Sequence, residues 1–251
     1  MVPPPGEAEL ELCPFDAGSE ERTPPEVLRL GEPWQVRVVP NLYPAVDRQE
    51  VVVHAPRHAR SLAELGDEEL AVVAEAWQQR AADRGTAYVH ALVNEGADAG
   101  SSLPHTHSQL VWLAEVPPVV AVERAACAGD CPLCRRPDEG LVIAERDGVT
   151  LSAAWAGRLP YELLVAPAEH EADPWTSPRL GAALALAADG LRRLGKVEGG
   201  PRPANLWLHD SGHWHLEVLP RLTVMAGLEL GAGVYVNTLA PEEAAARLAQ
   251  V

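Results

Sequence analysis

Two stretches of this chain carry the same signposts in the same order, and that repeat constrains the fold more than any other feature. His58 closes the apolar run VVVHAPRH at residues 51–58, and His170 closes its counterpart LLVAPAEH at residues 163–170. A His-x-His follows each one: His105-Thr106-His107 after 47 residues, and His213-Trp214-His215 after 43. Ahead of each set lies a cysteine turn, Cys13-Pro14-Phe15-Asp16 and Cys131-Pro132-Leu133-Cys134. Three parallel offsets in one chain imply a duplicated α+β unit, with a first half at residues 1–118 and a second at 119–251.

The hydrophobic pattern fills in both halves. Strands are expected at 34–39, 50–55, 87–93 and 107–113, with a helix at 67–83 capped by Asp67 and carrying Leu70, Val73, Ala74, Trp77 and Ala81 on one face. The second half repeats this with a strand pair at 141–144 and 150–154, strands at 161–166, 204–208 and 214–219, and a helix at 178–194. Residues 1–33 read as irregular and 117–140 as a connector. Pro241 opens a short final helix. Each half is therefore expected to be an antiparallel sheet with a helix packed on it, the two sharing one extended sheet.

A 251-residue chain buries enough surface to need no disulfide staples. Four cysteines and no visible leader argue for reduced or metal-bound thiols and a cytoplasmic protein. No apolar run is long enough to span a membrane. A net charge of −16 repels nucleic acid backbones, though not a small phosphorylated ligand held by local groups.

Cys131 and Cys134 form a Cys-x2-Cys turn of the kind that grips zinc, and the repeat supplies His170 and His213 as the other two ligands. The alternative is a pair of buried core cysteines unrelated to either histidine. Cys127, four residues earlier, reads as a spare thiol. In the first half Cys13, Asp16, His58 and His105 form a weaker set, with carboxylate in place of the second thiolate. Its alternative is a site that has lost its metal. The stretch NEGADAGSSLPHTHSQ at 94–109 has glycines for tight turns, and Asn94, Ser102 and Gln109 as neutral donors for phosphate oxygens. His105 and His107 point to one face of an extended segment, so one can serve a metal while its neighbour faces substrate as a nucleophile. Two polar strand residues facing solvent would give the same pattern.

Residues 94–109 resemble the active-site signature of the galactose-1-phosphate uridylyltransferase family, a branch of the histidine-triad superfamily. Similar segments are Cys13 to Glu26, Val38 to Val46, residues 58–62, 158–170 and 213–222, so the resemblance runs from about residue 10 to 250. It implies a duplicated histidine-triad (HIT-like) fold. It also implies ping-pong transfer of a nucleoside monophosphate from a nucleotide sugar such as UDP-glucose, through a nucleotidyl-histidine, to a hexose 1-phosphate.

By the same resemblance His107 is the nucleophile, and Gln109 and Ser102 hold the phosphoryl oxygens. Asn94 and the Gly100 backbone line the phosphate pocket, and Asn41 faces base and ribose. Cys13, Asp16, His58 and His105 are the metal shell beside the nucleophile. Gln109 marks a transferase, since histidine-triad hydrolases carry a third histidine there. The family normally begins with a strand and an Arg-rich segment that this chain starts after. Asp16 stands for a cysteine, and Glu217 and Leu219 stand where bacterial members carry iron-binding histidines. Residues 227–237 and the second Cys-x2-Cys look more like plant-type ADP-glucose phosphorylases. A phosphorylase or hydrolase using His107 is thus the second reading, and a zinc-stabilised nucleotide-binding module the third. His215 and Glu217 occupy the places of His107 and Gln109. Glu217 would repel phosphate, so the second site reads as structural, and His209 beside Trp207 as a structural histidine. The sequence leaves the oligomeric state open, a homodimer included.

Overall fold

The computed structural model describes residues 13–83, 85–135 and 139–251. The first half runs β1 (Leu28–Leu30), β2 (Val36–Pro40), β3 (Gln49–Val53), α1 (Asp67–Ala81), β4 (Tyr88–Glu95) and β5 (His107–Leu113). Helix α2 (Pro118–Cys127) leads to the second half: β6 (Val142–Arg146), β7 (Val149–Ala153), β8 (Leu163–Pro167), α3 (Leu180–Val197), β9 (Ala204–His209) and β10 (His215–Pro220). Helices α4 (Gly227–Ala232) and α5 (Pro241–Ala249) follow.

All ten strands join one sheet in the order β1-β2-β3-β5-β4-β9-β10-β8-β7-β6. Each pairing is antiparallel. Reading outward from the central β4–β9 pair gives the same sequence of elements on both sides, which is the duplicated, two-halved sheet expected from the repeat. The halves meet along backbone hydrogen bonds between Leu92–Glu95 and Ala204–Trp207.

Strand periodicity sorts the residues by face. On β4 Val89, Ala91, Val93 and Glu95 are buried, while His90, Leu92 and Asn94 between them are half-buried. On β5 Ser108, Leu110 and Trp112 point into the core with them, which turns His107 and Gln109 to the other side. The core face is covered by α1 and α3, packed against each other and the sheet. Helix α1 buries the expected stripe of Leu70, Val73, Ala74, Trp77 and Ala81. Gly181 of α3 faces Ala71 and Ala74 of α1 at this contact. A separate small cluster of Cys13, Phe15, Trp34, Val39, Val51 and Val53 covers the opposite face beneath the first-half site.

Three expectations need correcting. Gly66, not Asp67, caps α1, because Glu69 reaches back 2.8 Å to the Gly66 N–H and Asp67 is the first helical residue. The connector holds a helix, α2, started by Pro118 at its first turn. The segment read as irregular contains β1, three residues held by pairing with β2.

Candidate active site and metal centres

Each half brings its cysteine turn, the histidine after its middle strand and the first histidine of its His-x-His to one point. In the second half Cys131, Cys134, His170 and His213 offer donor atoms within 4.8 Å of one another. Cys131 Sγ lies 3.4 Å from His213 Nδ1, and Cys134 Sγ lies 3.3 Å from His170 Nδ1. Tetrahedral zinc with sulfur at about 2.3 Å and nitrogen at about 2.0 Å holds its ligands roughly 3.3–3.8 Å apart, so the four residues fit such an ion. His213 Nε2 donates to Pro167 O at 3.1 Å, which fixes the tautomer and leaves Nδ1 for a metal. Cys127 Sγ lies 3.4 Å from Cys131 Sγ but stands outside the four-donor cluster.

The first half repeats this geometry with Cys13, Asp16, His58 and His105. His105 Nδ1 is 3.5 Å from Cys13 Sγ and 3.0 Å from Asp16 Oδ1, and His58 Nδ1 is 3.0 Å from the same carboxylate. His105 Nε2 donates to Ala55 O at 3.0 Å, the counterpart of the His213–Pro167 bond. Burial holds the His105 imidazole down at about 4, against the pull of Asp16, so the ring is neutral and able to ligate. Both sets expected from the sequence are thus assembled, and Asp16 fills the corner of the missing thiolate.

His107 stands on the site face beside this cluster, 6% exposed. Its Nδ1 donates to His105 O at 2.7 Å, and the edge of Phe15 packs on the ring at 5.3 Å between centroids. Burial lowers its basicity, opposed by the bond to His105. The outcome is a neutral ring with Nε2 turned away from the backbone. Gln49 Nε2 donates to Gln109 Oε1, so the Gln109 amide is oriented with its NH2 group left to donate. Asn94 follows Val93, the β4 residue paired with Ser108, and so comes level with His107 at the end of the β4–β5 ladder. Asn205 Nδ2 donates to Asn94 Oδ1 at 2.8 Å, which likewise leaves the Asn94 NH2. Two oriented amide donors, Gln109 two residues along β5 and Asn94 at the end of the neighbouring strand, therefore share a sheet face with one neutral imidazole. Gln49 and Asn205 were not singled out from sequence. Asn205 had a signal, a polar residue in the otherwise apolar strand ANLWL, but its partner lies 111 positions away.

The glycine loop contributes less than expected. The Gly100 N–H donates to Ala97 O at 2.9 Å, and the Ala99 and Ser101 amides both donate to Gly96 O at 3.1 Å. Gly100, at φ +85°, shapes the loop but has no amide to offer a phosphate. The Ser102 side chain is exposed at the loop tip. Asn41 follows β2, with its N–H on Gln49 O and its side-chain oxygen holding the Tyr43 N–H at 3.0 Å, so only its NH2 group can reach a ligand.

The second half lacks this arrangement. A cavity of about 390 Å³ lies beside His215 and Glu217, lined also by Trp155, Arg158, Glu162 and Glu123. Glu217 bonds the Arg158 guanidinium, which also holds Glu162 at 2.9 Å through Nε. Its carboxyl is held down at about 2, burial being outweighed by His215 and Arg158. Two carboxylates on the one arginine, with Glu123 a third carboxylate lining the cavity, disfavour a phosphate. Glu123, His209, His215 and Glu217 also offer donors within 4.8 Å of one another, and Leu219 takes no part. His209 Nδ1 is 3.1 Å from Glu123 Oε1, so this buried histidine has a hydrogen-bond partner.

At the end of β4, beside the His107 strand, Glu95 is buried, accepting from Ser61 Oγ at 2.6 Å and from the Leu62 amide. Burial raises its carboxyl from 4.5 to about 7, partly offset by hydrogen bonds from Ser61, Leu62 and Thr106, with the Glu64 charge adding to the rise. Between those two values the folded chain keeps a proton that the unfolded chain releases. Stability from this group is therefore complete below about pH 4.5 and is lost as pH rises through 7, up to about 3 kcal/mol. Glu95→Gln is expected to flatten the fall in stability between pH 5 and 8 relative to wild type, read by urea unfolding at both pH values.

Fold and sites together define a duplicated, histidine-triad-like (HIT-like) fold in which one half carries an oriented imidazole and the other an acidic counterpart. Comparison with known proteins then narrows the class. The family model described as "Galactose-1-phosphate uridyl transferase, N-terminal domain" matches residues 44–118. ADP-glucose phosphorylase of Arabidopsis thaliana is 28% identical over 95% of this chain and 82% of its own. A crystal structure of an Arabidopsis thaliana ADP-glucose phosphorylase with bound ADP-glucose superposes with a TM-score of 0.88 at 26% identity, covering 100% of this chain and 92% of that one. A uridylyltransferase structure gives 0.81 at 25% identity, over 100% and 94%. The chain thus resembles the galactose-1-phosphate uridylyltransferases and their ADP-glucose phosphorylase relatives along its whole length, as residues 94–109 implied.

Proposed function

We propose that this protein is a cytoplasmic nucleotidyltransferase that takes a nucleoside monophosphate from a nucleotide sugar onto His107 and passes it to a phosphate-bearing acceptor. The observation that carries this reading is the His107 ring, neutral, tied by Nδ1 to His105 O and sharing a sheet face with the Gln109 and Asn94 amides. Nε2 attacks the α-phosphorus, the phosphorus–oxygen bond to the sugar phosphate breaks, and sugar 1-phosphate leaves with the electron pair. The imidazolium that forms keeps its Nδ1 proton on the His105 carbonyl. An acceptor phosphate oxygen then attacks the same phosphorus and releases Nε2. Gln109 and Asn94 donate to the phosphoryl oxygens as charge builds on them.

Zinc is the ion proposed for both clusters: Cys13, Asp16, His58 and His105 would hold one, Cys131, Cys134, His170 and His213 the other, and bound there it would fix the ligand residues and, through His105, the carbonyl that orients His107. ADP-glucose as donor and inorganic phosphate as acceptor are favoured by the match to the ADP-glucose phosphorylase along 95% of this chain. Uridylyl transfer from UDP-glucose to galactose 1-phosphate is the second reading, supported by the family model and the uridylyltransferase structure.

Four assays separate the two: each donor with each acceptor, scoring release of glucose 1-phosphate and of the new nucleotide. ADP formed from ADP-glucose and phosphate supports the first reading; UDP-galactose formed from UDP-glucose and galactose 1-phosphate supports the second. In either case Gln109→Ala is expected to slow nucleotidyl transfer by about two to three orders of magnitude, because one preorganised donor is lost. Rapid-quench rates at saturating donor measure this.

A further inference from the structure

Behind the catalytic strand lies a buried polar network for which the reaction as described has no use. His54, one residue past β3 and 1% exposed, places Nδ1 3.1 Å from Thr106 Oγ1 and Nε2 2.9 Å from Ser108 Oγ. Trp77 of α1 donates Nε1–H to the same Ser108 oxygen at 2.7 Å. Thr106 in turn hydrogen-bonds the buried Glu95 carboxyl. All these side chains lie on the core face, among Val52, Val93 and Leu110.

The two hydroxyl residues flank His107 on either side. Fixing both fixes the backbone from 105 to 108, which carries the nucleophile and the carbonyl that holds its Nδ1. The Thr106 main chain is clamped as well, with its N–H on Ala59 O at 2.6 Å and its C=O accepting from His54 N at 3.4 Å.

The second half is an internal control. Around His215 the residues in the places of Thr106 and Ser108 are Trp214 and Leu216, both fully buried in the main core. The strand partner of Leu216 is Val165. That half folds the same strand with mostly hydrocarbon beneath it, and its site has Glu217 where Gln109 would stand. Burying hydroxyls and an imidazole is no better for stability than well-packed hydrocarbon. The fold therefore does not call for the network, and it sits under the one strand whose histidine has a chemical task.

We propose that His54, Thr106, Ser108 and Trp77 form a positioning network that holds the His107 imidazole in register for attack on phosphorus, with His54 as its central positioning residue. The inference rests on His107 being the nucleophile. A misplacement of about 1 Å at such a group costs on the order of 100-fold in rate.

The test uses the full chain as purified with its metal. Ser108→Ala removes one hydroxyl, Ser108→Thr keeps it, and His54→Val removes the hub. Single-turnover labelling with α-phosphate-labelled ADP-glucose and UDP-glucose gives the rate per labelled site, the amplitude and the donor Kd. The expected result for Ser108→Ala and His54→Val is a 10–100-fold slower rate with Kd within twofold of wild type, and near wild-type rate for Ser108→Thr. An unchanged rate per labelled site in Ser108→Ala, or a change confined to amplitude, overturns the proposal, because that is what a purely structural role gives. Should His54→Val fail to fold, the Ser108 pair decides alone. Histidine side-chain 1H–15N spectra supply a readout that needs no turnover. The His107 ring resonances are expected to shift in Ser108→Ala and return in Ser108→Thr, and unmoved resonances count against the network. A wild-type chain that takes no label would refute the nucleotidyltransferase reading and with it the catalytic purpose of the network, while shifted His107 resonances in Ser108→Ala would still show that the network positions the ring.

Discussion

His107→Asn is expected to abolish the nucleotidyl-enzyme and turnover with it. Asparagine can keep a hydrogen bond near His105 O but has no nitrogen lone pair able to attack phosphorus. The imidazoles of His105, His54 and His215 are not placed to take over. His105 has Nε2 on Ala55 O and Nδ1 turned into the Cys13/Asp16 cluster. His54 lies on the core side of the sheet, and His215 belongs to the acidic second-half site. Removing a nucleophile typically costs on the order of a millionfold in rate. Binding of ADP-glucose, measured by calorimetry, should persist in this variant within severalfold, since the donors on Gln109 and Asn94 remain. A labelled His107→Asn enzyme formed at the wild-type rate would show that the chemistry resides elsewhere.

Cys131→Ser is expected to empty the second-half metal centre and unfold the chain at lower temperature. Cys131 is 5% exposed and its Sγ faces His213 Nδ1 at 3.4 Å, so the change removes a thiolate from a closed four-donor set. Binding of a structural zinc contributes on the order of 10 kcal/mol where folding is coupled to it. Losing even a third of that lowers Tm by about 10 °C in a chain of this size. Cys127→Ser is the control. Its sulfur lies outside the cluster, so metal content measured by mass spectrometry should stay at the wild-type value. Equal metal content in Cys131→Ser and wild type would remove the site.

The repeat made most of this architecture legible, since three offsets of chemically specific residues are independent of local propensity. Strand 107–113 came out with its observed bounds because its alternation is uninterrupted, with Ser108, Leu110 and Trp112 inward and His107, Gln109 and Val111 outward. Both ligand sets were legible for the same reason, Asp16 included, because position within the repeat identified it where residue type did not. What escaped reading depends on contacts distant in sequence. Strand β1 exists through three pairings with β2 rather than through any pattern of its own. The Gln49–Gln109 and Asn205–Asn94 bonds, which orient two amides on the His107 face of the sheet, cross 60 and 111 positions. The glycine loop offers less than its composition suggests, because composition shows that it can turn sharply but not that its amides are consumed in doing so. His54 sat in plain view in VVVHAPRH, and nothing local says which face of β3 it takes.

The most direct test of the central claim is to locate the bond that the reaction makes. Wild-type enzyme would be mixed with α-phosphate-labelled ADP-glucose or UDP-glucose without acceptor, quenched in base, digested, and its peptides sequenced by mass spectrometry. The expected result is one nucleotidyl group per chain, stable in base and lost in acid as a phosphoramidate is, on the peptide of residues 94–113 at His107. It should be discharged as nucleoside diphosphate on adding phosphate, or as nucleotide sugar on adding galactose 1-phosphate. Label at His215 or on a hydroxyl, or no label while glucose 1-phosphate is still released, would contradict a nucleotidyl-His107 mechanism.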